Sequence, residues 1–150
     1  MQITTSAMDI PETVLPILNQ SIGVILAGGE GRRMGGQDKG LILLHQKPLI
    51  EYPLAILQEL KLPVLISANR NQDQYLRYTY PVINDLRDEF NGPLGGIEAA
   101  LHWIEQHAPN TQFVVFTPCD LPNLSVSIFI QLLQALSDHP EAGIAIAATN

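Results

Sequence analysis

The apolar run Ile22-Gly23-Val24-Ile25-Leu26 passes directly into a stretch that reads L-A-G-G-E-G-R-R-M-G-G-Q-D-K-G-L from Leu26 to Leu41. A short continuous apolar run with turn residues at its end is the pattern of a strand buried on both faces. Behind it, Gly28, Gly29, Gly31, Gly35, Gly36 and Gly40 leave much of the loop without Cβ atoms. Backbone N–H groups on such a loop can approach an anion directly. Three of the chain's eight basic residues, Arg32, Arg33 and Lys39, lie on the same loop. Cations there neutralise phosphate oxygens. A strand, a glycine-rich turn and local positive charge predict a nucleotide polyphosphate site.

Elsewhere the charge has the opposite sign. The formal net charge is -7, so the chain offers no general basic surface for nucleic acid or anionic lipid. A cation cluster on an acidic chain reads as an anion pocket. With 150 residues and 46% apolar content, one domain with a substantial core is expected. A single cysteine excludes an internal disulfide framework and a cysteine-rich zinc site. No Lys or Arg precedes Arg32, so the chain lacks the charged region of a signal peptide. No apolar run approaches the roughly 18 residues of a membrane span. A cytoplasmic protein with no membrane partner is expected.

From Ile22 onward strands and helices alternate. Ile50, Leu54 and Leu57 mark a helical face, with Pro48 read as suiting the helix start and Pro53 as tolerable near its first turn. Residues 63–67 read as a second strand and residues 80–83 as a third. Ile97, Ala100, Leu101 and Ile104 have amphipathic helical spacing. Residues 113–116 form the most strand-like run, and Val126, Phe129, Ile130 and Leu133 repeat the helical spacing. Residues 142–147 read as a last strand. This alternation predicts an α/β domain over residues 21–150, a mostly parallel sheet with helices on both faces. Residues 1–20, broken by Asp9, Pro11 and Pro16, read as a poorly ordered N-terminal arm in which Val14, Leu15, Ile17 and Leu18 are the side chains able to pack elsewhere. Each suspect segment follows a predicted strand, so all are expected on the rim where such sheets bind ligands.

The loop fits neither common phosphate fingerprint. G-x-x-x-x-G-K-[ST] is absent, since Lys39 stands between Asp38 and Gly40. G-x-G-x-x-G begins at Gly29 and Gly31 but meets Met34 at its third position, and the acidic residue about twenty positions on, Glu51, falls on a helix. The pattern L-A-G-G-x-x-x-R-M-G-G-x-D-K-G-L instead closely resembles the N-terminal signature of molybdenum cofactor guanylyltransferases. Three later segments agree in order and spacing: Ala68-Asn69-Arg70, Asn91-Gly92-Pro93-Leu94-Gly95-Gly96, and Pro118-Cys119-Asp120-Leu121-Pro122. The resemblance covers residues 22 to about 136.

That resemblance implies a Rossmann-like three-layer α/β/α sandwich and a reaction: GMP passes from GTP to the terminal phosphate of molybdopterin, and pyrophosphate leaves with Mg²⁺. It sets Leu26, Ala27, Gly28 and Gly29 against the nucleotide, and Arg33 and Lys39 on its phosphates. Asn69 and Asp85 fall on base or ribose, and Gly95 in a close backbone approach. Asp120 becomes the Mg²⁺ ligand, in keeping with the preference of Mg²⁺ for few carboxylates plus phosphate oxygens and water. By residue type alone, Asp120 equally suits a cap or turn, Asp85 a turn, and Arg32 a solvated loop cation. Where the family often carries Asn, this chain has Ser67, which offers one hydroxyl in place of an amide. Cys119, the histidines and Trp103 carry no assigned role. Partners implied are GTP, molybdopterin, and transient contacts with enzymes that make or receive the cofactor.

Two alternatives stay open. One is a CTP-dependent cytidylyltransferase of the same superfamily, though such loops more often read L-A-A-G. The other is a GTP-binding protein without turnover. The last apolar run has no following helix to cover it, and the family runs on some tens of residues further, so a C-terminal portion is expected to be missing.

Overall fold

A computed structural model describes residues 10–27, 36–87 and 92–148. Along the chain come α1 (Leu15–Leu18), β1 (Ser21–Leu26), a 3-10 turn (Lys39–Leu41), β2 (Leu43–Leu44), β3 (Lys47–Pro48), α2 (Glu51–Glu59) and β4 (Val64–Ser67). They are followed by α3 (Gln72–Tyr75), a second 3-10 turn (Leu76–Tyr78), β5 (Val82–Ile83), α4 (Pro93–His107), β6 (Phe113–Pro118) and α5 (Val126–Asp138). Four strands form one all-parallel sheet in the order β5-β4-β1-β6. β2 and β3 make a separate antiparallel hairpin. Its turn residues His45 and Gln46 sit at φ 51° and 65°, the left-handed pair of a type I′ turn taken here without glycine.

The continuous apolar runs divide by alternation. Ile25 of β1 and Val64 and Ile66 of β4 face a core shared with Ile17 and Leu18 of α1, Leu54 and Leu57 of α2, and Phe129 and Leu133 of α5. Ile22 and Val24 of β1 and Leu65 of β4 face Ala100 and Ile104 of α4. Helices thus cover both faces of a parallel sheet, the expected three-layer arrangement.

Register fixes where the site lies. Leu26 is level with Ser67 and with Pro118, and Ser67 with Ile83, so the four carboxyl ends finish together. The chain moves outward from β1 to β4 and β5, then returns through α4 to place β6 on the other side of β1. The order reverses between β1 and β6, and a crevice at such a reversal is where open α/β sheets take ligands.

Several elements differ from expectation. Residues 10–20 belong to the fold: Val14 is fully buried, Ile17 and Leu18 are buried, and Thr13 Oγ1 donates to Gln134 Oε1 at 2.6 Å. Apolar side chains there find a groove beside α5 that sequence could not announce. Pro48 closes the hairpin, and α2 starts at Glu51 with Pro53 in its first turn. On α4 the buried line is Gly95, Gly96, Ala99, Ala100 and Ile104, while Leu101 is exposed. Small residues let that face approach the sheet, which turns Leu101 outward. Residues 142–147 form no strand, and Ile144 and Ile146 are 76% and 80% exposed. Among the described residues, β6 pairs on one side only, with β1.

Candidate active site

At the rim the sheet's hydrogen bonding continues past the strand ends. Ala27 N donates to Ser67 O at 2.7 Å, Ala68 N to Ile83 O at 2.7 Å, and Cys119 N to Leu26 O at 3.1 Å. The backbone leaving each strand is therefore held before any loop begins. From the β6 end, Asp120 accepts from Lys39 Nζ at 3.0 Å. Both side chains are partly exposed, at 45% for Lys39 and 32% for Asp120. The two residues are 81 positions apart and meet at the β1/β6 reversal. A lysine and a carboxylate there form a polar centre open to solvent, suited to exchange their mutual contact for a phosphate and a cation.

Asp38 stands at the head of the turn that carries Lys39. The Asp38 side chain caps the 3-10 turn by accepting from Gly40 N at 3.2 Å. It also accepts from Tyr75 Oη at 2.5 Å and from Asn71 Nδ2 at 3.0 Å. Asp38 is buried, and Tyr75 is fully so. Burial, then the Asp38 hydrogen bond, pushes the Tyr75 phenol well above its ordinary range. Arg70 Nη1 donates to Gly36 O at 2.8 Å. The β4 loop thus grips the exit of the glycine loop through two side chains.

Asn69 and Asp85 are also brought together. Asp85 N donates to Asn69 Oδ1 at 2.7 Å, which uses the amide oxygen of Asn69 and leaves its NH₂ as the group for a ligand. Asn69, Arg70, Asn71, Gln72, Asp73 and Asn84 line one open groove beside this pair. Gly95 is buried at the start of α4. Gly96 sits over the sheet: a Cβ on it would come within 2.8 Å of Ser67 Oγ and 3.0 Å of Leu26 Cδ2. Its glycine serves helix–sheet approach, and Ser67 is the buried residue beneath it.

Leu26, Ala27, Lys39, Asn69, Asp85, Gly95 and Asp120 therefore all follow or flank the aligned strand ends. Gly28, Gly29 and Arg33, with Arg32 and Asn91, lie outside the described residues. Sequence reasoning missed Tyr75 and Asn71, and read Asp38 only as part of the loop pattern. The Asp-Lys-Gly step carried the one available sign, an Asx residue ahead of a turn.

A magnesium ion fits Asp120 only in a limited way. Among the described residues no group of three or more His, Cys, Asp or Glu side chains could hold a metal, and the Asp38 oxygens are already taken by three donors. Asp120 would act as a single carboxylate, with substrate oxygens and water completing the shell. The Cys119 thiol, beside it, is buried and pushed up to about 12, by burial first and then by Asp120 and Asp38. It is no nucleophile near neutral pH.

Residues 23–150 match the family described as "MobA-like NTP transferase domain". The chain is 46% identical over 122 residues to the molybdenum cofactor guanylyltransferase of Vibrio vulnificus, covering 81% of this chain and 60% of that protein. It is 43% identical over 118 residues to the enzyme of the same name from Polynucleobacter asymbioticus, covering 79% and 57%. The chain thus spans about three fifths of the length of these curated relatives. Among solved structures, the synthetase for CMP:2-keto-3-deoxy-manno-octonic acid complexed with CTP superposes with a TM-score of 0.64 at 17% identity, covering 81% of this chain and 48% of that one. That likeness concerns the fold.

Proposed function

The chain belongs to the MobA-like NTP transferase family, and from that premise we propose that it binds GTP and transfers GMP to the terminal phosphate of molybdopterin in the cytoplasm. The observation that carries this reading is the Lys39–Asp120 contact at the strand-order reversal, where the loop leaving β1 meets the loop leaving β6. An oxygen of the acceptor phosphate attacks the α-phosphorus of GTP, the bond from that phosphorus to the bridging oxygen breaks, and pyrophosphate leaves with the electron pair. The acceptor is already an anion, so no general base is needed. The protein's task is to offset repulsion between acceptor and triphosphate and to hold them in line.

Each residue then has a part. Leu26, Ala27, Gly28 and Gly29 present backbone to the nucleotide. Lys39 and Arg33 neutralise the phosphates, with Lys39 nearest the reacting one. The Asn69 amide and the Asp85 carboxylate, tied to one another, take base and ribose, and Gly95 lets the α4 turn come close. Asp120 would hold Mg²⁺, which when bound draws charge from the triphosphate. Release of Lys39 from Asp120 frees both for the substrate. Transient contact with enzymes that supply or receive the cofactor belongs to the same proposal.

Calorimetric titration with GTP, with and without Mg²⁺ and against CTP and ATP, tests the reading. GTP-selective binding strengthened by Mg²⁺ is expected, at least tenfold weaker (about 1.4 kcal/mol) in both Lys39→Ala and Asp120→Ala. Preference for CTP would move the chain to the cytidylyl branch. GTP binding without pyrophosphate release in the presence of molybdopterin would leave a binding protein.

A further inference from the structure

Asp38 is a buried carboxylate whose hydrogen-bond partners among the described residues are all neutral: Gly40 N, Tyr75 Oη and Asn71 Nδ2. The neighbouring cation, Lys39, turns the other way and pairs with Asp120. Keeping a charge away from water is costly unless its oxygens are well supplied with donors. Here the donors come from three separate places. One is the turn that carries Lys39, one the loop after β4, and one α3. Gly40 completes the arrangement, since a Cβ there would lie 2.5 Å from Tyr75 Oη. Asn71 presents its amide from a left-handed backbone at φ 52°. A cap on a single turn needs only the Gly40 contact, so the Tyr75 and Asn71 bonds call for another explanation.

We propose that Asp38 is a positioning residue for Lys39: Tyr75 and Asn71 clamp its carboxylate, and the clamped carboxylate fixes the backbone from which the Lys39 side chain reaches the Asp120 end of the site. The functional consequence rests on the reading of Lys39 as the phosphate-binding lysine. The clamp joins the β4 loop, which carries Asn69, to the loop that carries Lys39, so the two ends of one nucleotide are held at a fixed separation. Preorganisation of this kind acts on the phosphate end of the ligand and leaves the base end alone.

Tyr75→Phe removes one hydroxyl and keeps the buried ring. Asp38→Asn keeps the shape and sets an amide hydrogen against donors. Both variants would be compared with wild type and Lys39→Ala by titration with guanosine and GTP, and by crystal structure. Tyr75→Phe is expected to weaken GTP about tenfold with guanosine unchanged. In a Lys39→Ala background the same change should cost nothing more, because the group being positioned is gone. A structural role alone would weaken guanosine and GTP alike and add to Lys39→Ala. In the crystal structure of Tyr75→Phe, Lys39 Nζ should no longer lie within hydrogen-bond distance of Asp120. If it stays at the wild-type 3.0 Å, the proposal is overturned whether or not the chain binds GTP. GTP binding that depends on Lys39 but is indifferent to Tyr75 would overturn it too, leaving the guanylyl reading intact. Should Tyr75→Phe fail to fold, Asn71→Ala removes another arm of the clamp from an exposed position and is read by the same measurements.

Discussion

Cys119, Tyr78 and Tyr75 show how burial writes a pH dependence into single residues. The Cys119 thiol rises from 9.0 to about 12. The Tyr78 phenol rises from 10.0 to about 12, through burial first and then its bond to Glu51 Oε1 at 3.0 Å. Both groups are neutral when protonated, and the unfolded chain loses those protons first as pH rises. Below about pH 9 their contribution to stability is fully present; it is lost progressively as pH climbs toward 12. Urea denaturation midpoints should therefore fall steadily above about pH 9. Cys119→Ala should flatten the first part of that decline. A midpoint independent of pH across this window would contradict the assigned burial. The cysteine and its neighbour Asp120 were legible in the sequence; the approach of Asp38 to Cys119 was not, because Asp38 comes from a different loop.

At the scale of elements, α4 meets the sheet through a glycine. Gly96→Ala adds a methyl 2.8 Å from Ser67 Oγ and 3.0 Å from Leu26 Cδ2. The helix gains about 1 kcal/mol in propensity, while crowding in a packed interface costs about 1–3 kcal/mol. Net destabilisation of about 1 kcal/mol is expected, because Ser67 is buried and has little room to turn. In a Ser67→Ala background the nearest obstacle is gone, and Gly96→Ala should become neutral or stabilising. Chemical denaturation of the four proteins of this cycle checks the change of sign. The glycine cluster before α4 was visible in the sequence as a point of close approach. That one of its members faces the sheet depends on how the helix is rotated, and periodicity had placed Leu101 on the buried side for the same lack of information.

For the molecule as a whole, the sheet is closed unevenly. β1 and β4 are covered on both faces, whereas among the described residues β6 pairs only with β1, and its apolar residues from Phe113 to Phe116 are only half-buried. Beyond α5, Ile144 and Ile146 stand almost fully in solvent. Unpaired edges and exposed aliphatic side chains favour association. Replacing Ile144 and Ile146 by Lys is expected to leave the thermal midpoint unchanged and to lower the concentration dependence of light scattering. A fall in the midpoint would show that these side chains pack in solution.

Local chemistry was enough to determine that the chain alternates strand and helix, that its sheet is mostly parallel, and that a glycine-rich loop with Lys39 follows the first strand. Buried strands, helical stripes and turn residues are written in neighbouring positions, where apolar periodicity and backbone freedom act over a few residues. Tertiary structure alone decided that Asp120 meets Lys39, that Asn69 grips the backbone of Asp85, that Tyr75 and Asn71 clamp Asp38, and that the run at 142–147 stays out of the sheet. Those contacts join residues brought together by strand register and crossover, and a carboxylate, an amide or a phenol carries no sign in sequence of the distant donor or acceptor that will satisfy it.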